Sequence, residues 1–400
     1  MSKPVAIKRV TVDPSRRDSA AVCSLQRQGR RVEVVSEPPR VDDYREGKAS
    51  LHLGEKRGSV MHPCASMHED YVCCNVQVLA TVSNCPFECS YCFLQDYLTD
   101  STLVVVDDVE AVMAEVSRRI AAQPQRFFRI GTWELGDSLA LESLTGSAAA
   151  LVRRFAELPN AILELKTKSA QVEGLIDLPH QGRTVVSWTL NPQAVIDAEE
   201  YRTASLENRL QAMEAVVAAG YPVAVHFDPM IHYADWRAGY EDLVRQLFAH
   251  IEARHMAWIS IGSLRFNPEM KRSMESYYPR SRATSAEMVL GDDGKVRYIK
   301  PLRKEMYAVL RAALRAAGAA DVFTYLCMER PDMWEHIFGQ TPPSTRHMDF
   351  AMAQSLHRRF PGMVPQPPRP EHYDAVPAVL VEGEPFPAAS AACAASTGEG

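Results

Sequence analysis

Cys85-Pro86-Phe87-Glu88-Cys89-Ser90-Tyr91-Cys92 carries three thiols, spaced by three residues and then by two. Thiolates are soft ligands suited to iron-sulfur clusters or to zinc, and this spacing gathers three of them on one side of a compact loop. A structural zinc site closes its tetrahedron with four protein ligands, commonly two separated pairs, and no second pair matches this one. Three thiolates instead suit a 4Fe-4S cluster that keeps one iron open to a small molecule. The alternatives are a zinc loop completed by a distant His, or buried thiols. Three cysteines in eight residues exceed what core packing asks for.

Outward from this loop, short apolar stretches alternate with amphipathic ones, the pattern of βα units around a parallel sheet. Val76 to Val82 reads as a strand that runs directly into the cysteine loop. Further strands are predicted at Phe127 to Gly131, Ile162 to Lys166, Val185 to Leu190, Val223 to Phe227 and Trp258 to Leu264. Between them Val109, Val112, Met113, Val116 and Ile120 fall at helical spacing, as do Leu206, Leu210, Met213 and Val217, then Leu243, Leu247 and Ile251. Ser205 reads as an N-cap and Gly220 as the stop of the helix between them. Six strands in this alternation predict an α/β fold, an open (βα)6 partial TIM barrel over 71–266.

In such sheets ligands gather beyond the carboxyl ends of the strands, where the βα loops converge. The predicted strand ends are polar one after another: Gly131-Thr132-Trp133-Glu134 with Asp137, then Lys166 and Lys168, Ser187 with Thr189 and Asn191, His226 with Asp228, and Ser263 with Arg265. One such end is ordinary turn chemistry or a helix cap; five converging on one rim point to a binding site.

Residues 1–70 read as an N-terminal arm with one strand, Arg31 to Val35, broken by Pro38-Pro39. Residues 267–360 read as a C-terminal extension on the substrate side, closed by a helix from about Glu305 to Ala317 and a strand from Val322 to Leu326. Two runs in it, Lys271 to Arg282 and Arg297 to Lys304, mix basic and aromatic residues, which suits phosphate contact and base stacking; a solvated helix face or loop is the plainer alternative. From Pro361 to Gly400 the Pro, Ala, Ser and Gly content predicts a disordered tail. A formal net charge of -6 gives no global basic field, so nucleic acid would need a local patch. Nine cysteines, an odd number without a secretory h-region, argue against a disulfide framework and for a reducing cytoplasm. No run approaches a membrane span.

Taken together these residues resemble the spore photoproduct lyase family of radical S-adenosylmethionine (SAM) enzymes, over roughly residues 71–330. The likeness rests on the cysteine triplet followed by Phe93-Leu94-Gln95, on Lys168, on Leu190-Asn191, on Ala219-Gly220-Tyr221-Pro222 and on Asp228-Pro229. It implies that Cys85, Cys89 and Cys92 hold a 4Fe-4S cluster whose open iron takes SAM, that cleavage of SAM yields a 5'-deoxyadenosyl radical, and that the substrate is a methylene-bridged thymine dimer in DNA. It further implies that Gly131, Thr132, Glu134, Lys168, Thr189 and Asp228 lie near SAM. Glu134 suits an ammonium, Lys168 a carboxylate, and Thr189 and Asp228 ribose hydroxyls; Asp228 before Pro229 is also a turn signal.

Two residues depart from the family. It carries a hydrogen-donating cysteine where this chain has Gly131, and an aromatic hydroxyl after the last cluster cysteine where this chain has Phe93. Tyr91 is retained. Cys327, after the last predicted strand, is the candidate replacement donor, or else a buried structural cysteine. The expected partners are DNA or another nucleic acid and a reductant such as flavodoxin or ferredoxin. A radical SAM enzyme acting on an RNA base, peptide or metabolite, and a non-catalytic iron-sulfur protein, are the competing readings.

Overall fold

The computed structural model describes residues 7–373, apart from 42, 65, 66 and 69. Its main sheet has eight strands: β1 (Met61–Pro63), β2 (Gln77–Leu79), β3 (Phe128–Gly131), β4 (Ala161–Thr167), β5 (Thr184–Thr189), β6 (Val223–Met230), β7 (Met256–Ser263) and β8 (Phe323–Leu326). They lie side by side in chain order, all parallel except the β1–β2 pair. The sheet curls into a half-barrel, as the alternation predicts. From β2 onward each strand lies beside its predecessor in the chain, the order that successive crossovers produce.

The strands form where β-branched and aromatic residues concentrate. In β5, Thr184-Val185-Val186-Ser187-Trp188-Thr189 is buried throughout because helices cover one face and the barrel interior fills the other. The helices α1 (Val109–Ala121), α2 (Ser147–Phe155), α3 (Leu206–Ala218) and α4 (Trp236–His250) pack their apolar stripes on the outside. In α3 the Ser205 hydroxyl accepts from the Asn208 backbone N–H at 3.3 Å. Gly220, at φ 89°, ends that helix while Tyr221 N–H bonds Val216 O at 3.0 Å, the left-handed stop that glycine permits.

Three features differ from the sequence reading. The strand at Phe323–Leu326 pairs with β7 and extends the half-barrel, instead of only closing the chain. Its crossover, which holds a three-stranded antiparallel sheet and α5 (Lys300–Ala316), is too long to show the βα period. Between β4 and β5 the connection is a 3-10 turn, Glu173–Leu175, with no helix. Finally, the first seventy residues are no extended arm. Arg9–Val12, Val32–Val34 and Ser50–Gly54 build a second sheet that recruits Leu103–Val106 and Val82–Ser83 from beyond residue 70. That sheet has its own core, in which Val12, Leu25, Leu53 and Leu103 are fully buried.

The expected tail falls outside the described residues from 374 onward. Residues 361–373 before it are packed: Met363, Val364 and Tyr373 are buried against the main core beside α6 (Thr345–Arg359). Among the described residues no helix is long and apolar enough to cross a membrane.

Candidate functional site

The expected strand Val76 to Val82 is split, β2 ending at Leu79 and Val82–Ser83 joining the second sheet, so the cysteine loop follows that second strand, and it is held largely by groups that the sequence did not single out. Glu88–Cys89 pairs antiparallel with Glu200–Tyr201, and Ser90 N–H bonds Glu199 O at 2.8 Å. Lys48, between the helical turn Tyr44–Gly47 and the strand Ser50–Gly54, is almost fully buried and donates to the carbonyls of Cys85 and Phe87, at 2.6 Å each. Asn84, at φ 67°, turns the chain into the loop and accepts from Cys85 N–H at 2.7 Å. The Tyr91 hydroxyl donates to Glu200, whose carboxylate also receives Asn191 at 2.9 Å and the fully buried Arg209 at 2.6 Å. Burial would raise the Glu200 carboxyl, but Arg209 and Lys168 outweigh it and hold the group below its ordinary range. Burial pushes the Tyr91 hydroxyl well up, so its proton stays on oxygen.

A cavity of about 480 Å³ opens beside the loop. Cys85, Cys89, Cys92 and Tyr91 border it together with Glu134, Lys168, Thr189 and Asp228. The structure thus gathers around one cavity most of the residues picked from the strand ends. Gly131, Thr132, Ser187, Asn191 and Ser263 are the exceptions and do not border it. The Thr132 hydroxyl turns away to donate to Ser138 Oγ at 2.8 Å, and a β-carbon at Gly131 would collide with the Trp133 indole. The space expected to hold a donor side chain is therefore filled by tryptophan.

Trp133 is fixed by Glu164, a fully buried carboxylate at the barrel centre. Glu164 accepts from Trp133 Nε1 at 3.0 Å, Arg129 Nε at 2.9 Å and Ser187 Oγ at 2.9 Å, and pairs with His226 Nε2 at 2.8 Å. Burial alone would raise its pKa; Arg129 and His226 reverse the sign and keep it ionised. His226 moves the other way, to about 4, because burial and then Lys166 disfavour its cation more than Glu164 favours it.

Asp228 reaches the wall already paired. Arg265 grips both its oxygens, at 2.8 and 3.2 Å, and also donates to Cys327 Sγ at 3.3 Å. That bidentate pair fits because Gly262 lacks the β-carbon that would strike the Asp228 carboxylate. Burial raises the Asp228 carboxyl, yet Arg265 more than compensates and keeps it ionised. The ribose role expected of Asp228 thus competes with an internal guanidinium. Cys327 borders the cavity instead of being lost in the core.

The two basic-aromatic runs separate. In the second, Arg297 and Arg303 are buried, Arg303 pairing with Glu329 at 2.9 Å and Tyr298 packing in the core, so the nucleic-acid reading fails there. In the first, Lys271, Arg272, Arg280 and Arg282 are exposed beside the cysteine loop, to which Ser281 links through Glu199 at 2.6 Å.

Whether the loop fits a cluster can be judged from its donors. Among the described residues no three His, Cys, Asp or Glu groups converge tightly enough for a single metal ion. A cubane spreads its irons over separate corners and asks for thiols set wider apart. Burial pushes the Cys89 thiol up to about 12, with Lys168 pulling against it, and raises Cys85 likewise against Lys48. Two buried ammonium groups thus stand ready to offset thiolate charge. The residues present fit the cluster.

A family model for spore photoproduct lyase matches residues 29–320. The spore photoproduct lyase of Bacillus subtilis is 24% identical over 245 residues, 60% of this chain and 70% of that protein. That of a Geobacillus strain is 24% identical over 242 residues, 60% and 69% of the two. Among solved structures, a spore photoproduct lyase variant with bound SAM and dinucleoside spore photoproduct superposes with a TM-score of 0.71 at 22% identity, covering 81% of this chain and 99% of that one. A spore photoproduct lyase complexed with the dinucleoside photoproduct gives the same score, identity and share of this chain, and is itself covered completely. The match spans well over half of the chain: it belongs to the spore photoproduct lyase family of radical SAM enzymes.

Proposed function

We propose that this enzyme reverses a thymine photoproduct in DNA, with Cys85, Cys89 and Cys92 as cluster ligands and SAM seated in the adjoining cavity. The observation that carries this is the three-thiol loop bordering the same cavity as Glu134, Lys168 and Thr189. When bound, the cluster and SAM supply a 5'-deoxyadenosyl radical that takes hydrogen from the substrate. The chain's own residues hold and orient. Glu134 receives the ammonium of SAM, Lys168 its carboxylate and Thr189 a ribose hydroxyl, each contributing about 1.5–3 kcal/mol where charged. Asp228 stays with Arg265 as a fixed wall, and Gly131 and Thr132 serve as backbone. Tyr91 acts through Glu200 to position the loop. The exposed Lys271, Arg272, Arg280 and Arg282 meet the DNA backbone. Cys327 returns a hydrogen atom to the product radical. Its burial keeps it a thiol, and an S–H bond is weak enough to give up its hydrogen.

The half-barrel, which runs from β1 at Met61 to β8 at Leu326, acts as the catalytic body, the excursion between β7 and β8 as its substrate-side extension, and the protein works in the cytoplasm with a flavodoxin or ferredoxin as reductant. A second reading follows from Trp133 filling the space beside Gly131: the same radical acts on another substrate, such as an RNA base, whose product needs no thiol at that place.

The test is anaerobic incubation with SAM, dithionite and dinucleoside spore photoproduct. Formation of 5'-deoxyadenosine together with repaired dinucleotide is expected, and Cys85→Ala, Cys89→Ala or Cys92→Ala abolishes both along with the bound iron. Wild-type 5'-deoxyadenosine without repair moves the assignment to the second reading. Full iron retention in all three variants removes the cluster assignment.

A further inference from the structure

At the opening of the cavity stand aromatic rings to which the reaction described so far gives no role. Phe93 and Tyr97 both border the cavity, yet they are 43% and 48% exposed. Tyr97 ends the helical turn Leu94–Tyr97 and Phe93 precedes it, and their rings meet edge to face with centroids 5.7 Å apart. The turn beneath them is fixed: Leu94 is buried, and the Gln95 side-chain amide donates to the carbonyls of Cys89 and Ser90 at 3.2 and 2.8 Å. Two neighbouring rings that a core would bury are thus held in the open, on a support tied to the cysteine loop.

Charge divides the surface around them. The helix Met270–Tyr277 packs against the turn and presents Lys271 and Arg272 to solvent. Tyr277 at its end is exposed as well and stacks on Tyr44, with centroids 4.8 Å apart. Asp96, exposed on the turn itself, repels a phosphate there. A polyanion is therefore drawn to the helix, while the rings beside it are left to its uncharged, planar parts. Rings, cations and a cavity side by side are what an enzyme needs to take bases out of a stack: the backbone is gripped, the bases turn into the cavity, and a planar group closes the gap they leave.

We propose that Tyr97, braced by Phe93, is a wedge that enters the base stack beside the lesion and holds the duplex open while the photoproduct occupies the cavity. The proposal rests on the reading that the substrate is a lesion in DNA. It goes further in naming the duplex, in place of an isolated dinucleotide, as the form of substrate that this rim serves. A dinucleoside has no neighbouring stack to part, so it reaches the cavity without the wedge. A lesion inside a helix must first lose its stacking, and the tyrosine ring returns part of that loss by stacking on the base left behind.

The first test reads the duplex without turnover. Anaerobic enzyme without reductant is bound to a duplex that carries the photoproduct with 2-aminopurine as its neighbour, a base whose emission brightens when it is unstacked. At saturation a several-fold rise is expected with wild type and with Tyr97→Trp, and little or none with Tyr97→Ser. Equal rises in wild type and Tyr97→Ser overturn the wedge, as does a wild type that binds the duplex without brightening it. The second test follows repair with SAM and dithionite on the duplex and on the dinucleoside photoproduct, and its readout is the ratio of the two rates. Tyr97→Ser should lower the duplex-to-dinucleoside ratio by about tenfold, the loss of one base–ring stack, and Tyr97→Trp should restore it. An equal fall on both substrates overturns the proposal; if that fall appears with a flavodoxin as reductant and not with dithionite, the rim receives the electron donor instead. Dinucleoside repair by wild type reports on the functional reading alone. Formation of 5'-deoxyadenosine without repaired dinucleoside fails that reading and the wedge with it, whereas repaired dinucleoside with an unchanged ratio in Tyr97→Ser fails only the wedge.

Discussion

At the scale of single residues, the barrel centre is a charge balance around Glu164, and its weak point is His226. With a folded pKa of about 4 against an ordinary 6.5, His226 resists protonation that the unfolded chain accepts. Stability contributed there is complete above 6.5 and falls as the pH drops towards 4, by at most about 1.4 kcal/mol per unit. Urea midpoints at about pH 5 and about pH 7 should therefore differ more in wild type than in His226→Gln. An equal difference would place the acid sensitivity elsewhere. Gly131 makes a second residue-scale prediction. Restoring a cysteine there, which the family pattern alone would recommend, forces the indole off Glu164, so Gly131→Cys should lower stability by ~1–3 kcal/mol without giving a better repair yield. Gly131→Cys with Trp133→Ala should recover the stability lost through the clash, read by thermal melts of both variants.

At the scale of elements, the cysteine loop is held less by its own sequence than by what reaches it. Lys48→Met strips the Cys85 and Phe87 carbonyls of their buried donor, at a cost of about 1–3 kcal/mol each. Iron retained after gel filtration should drop, while the far-ultraviolet dichroism of the half-barrel stays in place; undiminished iron would show that the loop holds its shape without the lysine. Nothing in Gly47-Lys48-Ala49 advertises this role, because a lone lysine reads as solvated until the fold carries it inside. The same holds for Glu199 and Glu200, which look like the polar end of a helix. By contrast the strands, the caps of α3 and the polar strand ends were readable, since each follows from a local period or a local turn. What escaped is what long crossovers and neighbouring sheets bring together: β8 after its long excursion, the ion pairs that consume Arg297 and Arg303, and Trp133 folding back over Gly131.

At the scale of the whole molecule, residues 361–373 belong to the packed body. A chain ending at Phe360 forfeits the burial of Met363, Val364 and Tyr373, worth on the order of 5 kcal/mol together, and frees His357 Nδ1 from Val364 O at 2.8 Å. It should unfold at clearly lower urea than a chain ending at Tyr373; coincident midpoints would mean that the segment is dispensable. The second sheet carries a further consequence. Its strands Val82–Ser83 and Leu103–Val106 flank the cysteine loop on either side, and Lys48 follows Gly47 directly into Ser50–Gly54. Whatever tightens that sheet narrows the ends between which the loop is strung, and whatever fills the loop must tighten the sheet by the same free energy, since linkage is reciprocal. Iron is in this sense a folding ligand for a part of the chain that contributes no thiol to it, and a valine lost from Arg9–Val12, more than seventy residues before Cys85, would register first as weaker retention of metal.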